Sequence, residues 1–348
     1  MSSDFPTTLE ALQQTEGIIS TWFGADLVEV NSNKNPLKDE PTSFALAVSG
    51  VPFIGLLLSR GDTPSVSIAI KKLAEVRLPR ALPLVVVPFM GETGRRLCEA
   101  ANVSWVDLSG NAKIRGPKLF IHVGGNSNAF LRSGRHANVF AAKSSRVARQ
   151  LLMEPSRYLL QAKIAELTGL GPGYTSKIVN RLEDDRLLER HSDGGVRPRD
   201  PELLLEAWRE RYDFFGHRVI KGTIAARSGV ELLPKLQETL ADLPGQYAAT
   251  GLAAAWQMTK FANFRTTTFY VESAPSEAWK KAAGFREGNA GANVWLVIPN
   301  DEGVFAGKKA VDSILCVHPV QAYLDVLAHP ERSEEAAEVL RDSFHWRQ

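Results

Sequence analysis

The sequence predicts a mixed α+β protein in three parts: an N-terminal α/β part, a central winged helix-turn-helix and a C-terminal α/β part. Three observations predict it. Strand-like apolar runs alternate with short helical stretches as far as Val123. Ser145 to Arg199 then reads as short helices followed by a basic hairpin. Beyond it, strand and helix patterns return in mixed order. The expected boundaries are 1–128 for the first part, 129–142 for a basic linker, 143–212 for the winged helix and 213–348 for the last part. With 348 residues and 44% hydrophobic content, the chain can bury two or three ordinary cores.

In chain order, an opening helix is expected over Thr8 to Phe23, then strands at Asp26–Val30, Thr42–Val48 and Val51–Leu58. A helix from Ser65 to Glu75 precedes the β-rich run Leu82–Pro88. Gly91 to Ala101 reads as a helix and Ser104–Leu108 as a strand. Ala112–Arg115 and Leu119–Val123 read as a closing hairpin. Strands alternating with helices of about ten residues imply a mixed sheet with helical cover.

In the central part, Val147, Leu151 and Leu152 recur at helical spacing, and Pro155 closes that segment. A second helix spans Gln161 to Leu167, with Ala162, Ile164, Ala165 and Leu167 inward. Gly169 suits the left-handed conformation that ends a helix, and Pro172 suits a first helical position. The third helix runs to about Asp185 on a buried stripe of Thr175, Ile178, Val179 and Leu182. Its opposite face presents Tyr174, Ser176, Lys177, Asn180 and Arg181, residue types that read base edges and hold phosphates. A hairpin with a Ser192-Asp193-Gly194-Gly195 tip returns through Arg197 and Arg199. The glycines at 169, 171 and 173 follow a helix and lack a Lys-Ser/Thr ending, so they are not a phosphate loop.

Charge points the same way. From Leu108 to Met153 there are forty-six residues with eight cations and no Asp or Glu. Leu108 to Arg199 holds sixteen Lys/Arg against seven Asp/Glu, a balance of +9 in a chain whose total is +2. Such a zone is the footprint of a polyanion partner. Arg135, Lys143, Arg146 and Arg149 lead into the third helix and join the candidate double-stranded-DNA-binding set. If five to eight cations met phosphates, the log–log slope of binding against salt would be roughly −5 to −7.

Several classes recede. No apolar run approaches a membrane span, and the first residues do not read as a leader, so a cytoplasmic protein without membrane contact is expected. Cys98 and Cys316 sit in apolar segments outside metal-ligand spacing and are expected to be buried thiols. His217, His318 and His329 are scattered, and no catalytic triad can be placed from spacing. No catalytic residue, metal or cofactor is expected.

The phrase Trp105 to Ala112, WVDLSGNA, after the strand PLVVVP, resembles the AbiEi-type antitoxin regulators of type IV toxin–antitoxin systems. Tyr247 to Trp256, YAATGLAAAW, and Pro319 to Leu340 resemble blocks of that family's C-terminal domain, so the likeness extends over most of the chain beyond Pro41. It implies a bacterial DNA-binding regulator that represses its own operon and counteracts, indirectly, a toxin encoded beside it. It also implies a restriction-endonuclease-like N-terminal domain and a nucleotidyltransferase-like C-terminal domain.

Both implied domains look degenerate. A metal-dependent nuclease needs an acid and then an Asp/Glu-x-Lys pair on adjoining strands. Here Leu56, Leu57 and Leu58 stand in that strand, and Asp62 is the best remaining metal-ligand candidate, with Asp26 and Glu29 as weaker ones. On this reading Leu57→Ala lowers stability and Asp62→Ala changes little. A nucleotidyltransferase needs paired aspartates, where this chain offers Glu272 alone, with Asp312 and Asp325 isolated. Trp256, Phe261, Phe264, Phe269, Tyr270 and Trp295 are expected in that domain's core. Glu331 to Arg341 reads as a capping amphipathic helix.

The reading is therefore a sequence-specific regulator and not an enzyme. The alternatives are a recruitment or replication factor of a mobile element, or a nuclease or nucleotidyltransferase with an unconventional site. A winged helix on a palindrome normally acts as a homodimer, although no dimer helix is legible.

Overall fold

A computed structural model describes residues 6–31, 36–37, 42–75, 80–130, 138–261 and 263–346. The chain divides into two compact units, Met1–His136 and Ala137–Gln348. Each carries a seven-stranded mixed sheet. The mixed α/β class expected from the sequence is what the chain adopts.

In the first unit, helix α1 (Thr8–Phe23) opens on a reciprocal cap between Thr7 and Glu10, which satisfies two otherwise orphaned N–H groups. Gly24, at φ 89°, ends it. The strand expected from Asp26 starts later, because Ala25–Leu27 form a 3-10 turn that brings the chain round into β1 (Val28–Asn31). Strands β2 (Ser43–Val48), β3 (Val51–Leu57), β4 (Leu82–Val87), β5 (Ser104–Asp107), β6 (Ala112–Gly116) and β7 (Leu119–Val123) follow. They lie side by side in chain order. The pairs β3–β4 and β4–β5 are parallel and the others antiparallel. Helices α2 (Thr63–Glu75) and α3 (Glu92–Ala100) make the two crossovers that parallel pairing requires.

Alternation sorts these strands between two cores. Leu57, Leu84 and Val86 pack with Phe44 and α1, whereas Leu56, Val85 and Val87 pack with α2, α3 and Trp105. Buried on both faces, β4 reads as an unbroken apolar run. Leu56 and Leu57 are 1% and 3% exposed, so they are core residues. A Cβ at Gly55 would lie 2.2 Å from the Phe44 ring, which explains the glycine inside β3.

The WVDLSGNA phrase forms a buried polar knot. The carboxylate of Asp107, wholly buried, accepts from the N–H groups of Met90 (3.1 Å) and Asn111 (2.8 Å) and from the Asn111 amide (2.9 Å). Asn111 in turn exchanges hydrogen bonds with the backbone of Asn126. The phrase thus stitches together three chain segments.

The second unit begins with α4 (Ser145–Met153), α5 (Gln161–Thr168) and α6 (Pro172–Asp184), then a hairpin of β8 (Leu188–Arg190) and β9 (Val196–Pro198). Gly194 (φ 90°) turns its tip, and Gly195 N–H donates to Asp193. Helix α7 (Pro201–Arg209), capped by Asp200, leads to the second sheet. Its strands are β10 (Arg218–Thr223), β11 (Tyr247–Thr250), β12 (Thr267–Val271), β13 (Arg286–Glu287), β14 (Val294–Ile298), β15 (Lys309–Val311) and β16 (Ile314–Cys316). They lie in the order β13-β10-β14-β12-β11-β16-β15. Helices α8 (Gly229–Leu240), α9 (Gly251–Thr259), α10 (Glu277–Ala282), α11 (Pro319–Val326) and α12 (Ser333–Asp342) cover it.

One apolar core runs from Val139 and Val147 through Trp208 to Phe344, so the helices before the hairpin and the second sheet share an interior. Phe264, Phe269, Tyr270 and Trp295 are buried, with Trp256 and Phe261 half-buried against them. Glu272 is exposed just past β12 and accepts from the Gln246 N–H. Cys98 and Cys316 are free and buried, and burial pushes both thiols up to about 12.

Candidate nucleic-acid interface

Helix α6 is set by its own ends. Gly169, at φ 64°, closes α5, and its N–H donates to the Ala165 carbonyl. Pro172 then starts α6 at a position whose N–H would have no partner. Thr175, Ile178, Val179 and Leu182 are buried, anchoring the helix. Lys177 and Asn180 are exposed on its other side, Ser176 and Arg181 half-buried. Tyr174 is 43% exposed, and its hydroxyl meets that of Ser144 at 2.6 Å. Gln161 donates to Asn180 at 3.5 Å, and Arg181 pairs with Asp185 at 3.3 Å. On α5, Ala162 and Leu167 point to solvent instead of inward, because the short helix buries only Ile164, Ala165 and Thr168.

The hairpin is braced by a cluster that spacing does not disclose. Arg197 stacks over Tyr158, 4.4 Å from the ring centroid, and its Nε donates to Glu189 at 2.7 Å. Tyr158 also donates to Glu189, and its ring lies against His191. The Arg197 and Tyr158 bonds hold the Glu189 carboxyl below its ordinary range. Backbone bonds between Leu159 and Val196 tie the segment before α5 to the hairpin. Arg199 is exposed beyond β9.

Two of the expected contact residues are corrected. Arg149 is 3% exposed, inside the unit, and cannot reach the phosphate backbone of a duplex. Arg146 is committed to a bidentate pair with Asp301, at 2.8 and 2.7 Å, and to Glu302 at 3.3 Å. From its sequence, α4 reads as an amphipathic helix carrying Arg146 and Arg149 of the candidate DNA-binding set. Instead Ser145 and Val147 to Leu152 are all buried, because the second sheet's connections cover that face. Lys143 is exposed, and Arg135 lies outside the described residues. The acid-free stretch thus borrows its counter-charges from afar, as Lys113 does from Glu99. Within residues 138–200, Lys143, Lys177, Arg186 and Arg199 are exposed cations with no ion pair among the described residues.

Behind this face lies a buried polar network. Arg149 donates to Gln321 (2.6 Å), and Gln321 to Asp325 (2.9 Å). Asp325 also accepts from Tyr212 and Thr250, and burial raises its carboxyl to about 6. His217 Nδ1 accepts from Asn300, which leaves Nε2 to donate to the Tyr212 oxygen at 3.1 Å. His329 donates from Nδ1 to the Asp325 carbonyl and accepts from Thr268 at 2.7 Å. Burial lowers His217, His318 and His329 each to about 4. In the first unit, Asp62 Oδ1 accepts the Ser65 N–H (3.0 Å) while Oδ2 pairs with Arg60 (2.6 Å). Asp26 and Glu29 are exposed.

Comparison with known proteins finds a likeness, to a family of transcriptional regulators, over part of the chain. Residues 197–345 match the family described as transcriptional regulator, AbiEi antitoxin, type IV TA system. This is the family that the sequence resembles. The match covers the hairpin's return strand, α7 and the second sheet, including the 247–256 and 319–340 blocks, and leaves the 105–112 phrase outside. No curated protein and no solved structure is significantly similar to the chain. No helix among the described residues is long and apolar enough to cross a membrane.

Proposed function

We propose that this chain is a sequence-specific double-stranded-DNA-binding regulator, an antitoxin that represses its own operon and so opposes a toxin encoded beside it. The observation that carries the reading is α6, buried along its apolar stripe and presenting Tyr174, Lys177 and Asn180 outward, with the Arg199 hairpin in the same unit. In this reading the helices and hairpin act as a winged helix in the cytoplasm. Asn180 reads a base edge, Lys177, Ser176 and Tyr174 hold the backbone, Lys143 and Arg199 meet flanking phosphates, and two copies bind a palindrome.

The burial of Arg149 and the pairing of Arg146 reduce the cations available to DNA. About four or five phosphates then release counterions, and the log–log salt slope is roughly −4 instead of −5 to −7. Titration of duplex from upstream of the chain's own gene tests this. Asn180→Ala is expected to cost about 1–3 kcal/mol on the preferred site and little on random DNA, whereas Lys177→Ala weakens both alike. A slope near zero, or unchanged site preference in Asn180→Ala, overturns the reading.

A further inference from the structure

We propose that the second unit holds a binding site for a small anion, a carboxylate or phosphate group, in the cavity beside Arg149. The cavity has a volume of about 220 Å³ and lies between α4, the segment 211–217 and the loop 300–304. Arg149 lines it, and its guanidinium donates only through Nη2, to Gln321. Nε and Nη1 are buried and meet no hydrogen-bond partner among the described residues. Two unpaired donors on a buried cation are costly. Both are closed to solvent in this geometry, so binding includes a small shift of the guanidinium toward the cavity, where an oxyanion satisfies them with charge-assisted bonds.

The surrounding charges favour an anion over a cation. Of the two carboxylates on the cavity wall, Asp301 is neutralised by Arg146, while Asp213 accepts the N–H of Phe215, which leaves its charge uncancelled, so that one carboxylate unpaired among the described residues faces the two cations Arg149 and Arg211. Arg211 adds a second cation at the rim, lying 5.8 Å from the centroid of the Phe140 ring that forms another wall. His217 stays neutral near pH 7, because burial holds it near 4, and contributes no charge. The site stands independently of DNA recognition, because no cavity-lining residue belongs to α6 or the hairpin.

Calorimetric titration of the full chain with inorganic phosphate and, separately, with malonate tests the site at constant ionic strength in chloride. At least one anion is expected to bind in the millimolar range or tighter. The one that binds identifies the group as phosphoryl or carboxylate, and binding of both marks a general oxyanion site. Arg149→Met is expected to weaken binding about tenfold or more. Because that substitution alters the buried network, Arg211→Ala and the cavity-filling Ala142→Phe provide the same test at more exposed positions. Lys177→Ala is expected to leave anion binding unchanged. Absence of binding by both anions, or binding that survives Ala142→Phe and vanishes in Lys177→Ala, overturns the proposal.

Discussion

The two units solve the same architectural problem with different interiors. In the first, strands adjacent in sequence are adjacent in the sheet, and the polar side chains buried among the described residues are the Asp107–Asn111 knot and a few hydroxyls such as Thr15 and Thr63. In the second, the order β13-β10-β14-β12-β11-β16-β15 brings distant strands together, and the interior carries Arg149, Asp325, Tyr212, Tyr270 and three histidines with depressed proton affinity. A sequential sheet needs only local patterns to specify it. A shuffled sheet brings remote polar groups to one place, and each must find its partner there.

That difference decides what the sequence could reveal. The bounds of α1 and β7 were legible to the residue, because capping, alternation and turn chemistry are local signals. The buried stripe of α6 and the left-handed Gly169 were legible for the same reason. The fate of Arg146 and Arg149 was not, since their partners lie 155 and 172 residues further along. A helix read by itself shows two basic residues on a polar face, and nothing local says that another part of the fold will cover them. The role of the Asp107 phrase was likewise hidden, because the Asn126 backbone completes it from beyond the next hairpin.

The contrast is broken most forcefully with acid. His217, His318 and His329 are lowered to about 4 in the folded chain, against an ordinary value near 6.5 when unfolded. As pH falls from 6.5 to 4 the unfolded chain takes up these protons first, so stability is lost through that window. Asp325, raised to about 6, acts oppositely and gains stability as pH falls from about 6 to 4. Each fully buried group accounts for about 3 kcal/mol, with half-buried His318 contributing less, so the net loss is about 3–6 kcal/mol. Hydrogen exchange resolved by segment, compared at pH 7 and pH 4.5, should show protection falling in the second sheet. Unchanged or rising protection there would contradict the assignment of neutral buried histidines.

Cavity formation probes the apolar interior instead. Leu57 is 3% exposed between Phe44 and the α1 side of the first sheet. Leu57→Ala is expected to cost about 2–5 kcal/mol, through lost transfer energy and the space left behind. Thermal or denaturant unfolding measures it, with little change across the same acid window. Leu58, half-exposed past the end of β3, should cost less when shortened. Equal losses at the two positions would mean that burial does not set the cost.

The smallest effect is expected at Asp62, where the structure changes the prior expectation. Read from sequence, this carboxylate is the best remaining metal ligand near β3, and its removal is expected to change little. In the fold, one oxygen caps the first turn of α2 and the other pairs with Arg60, with the side chain 18% exposed. Loss of such a helix cap typically costs about 0.5–2 kcal/mol, so Asp62→Ala should lower the melting temperature measurably but less than Leu57→Ala. Asp62→Asn should recover most of the loss, since an amide oxygen can still accept the Ser65 N–H. Because both oxygens already have partners, Mg²⁺ or Mn²⁺ should leave the wild-type melting temperature unchanged and plasmid DNA uncut. A metal-dependent rise in stability that disappears in Asp62→Asn would show that this carboxylate is a ligand as well as a cap.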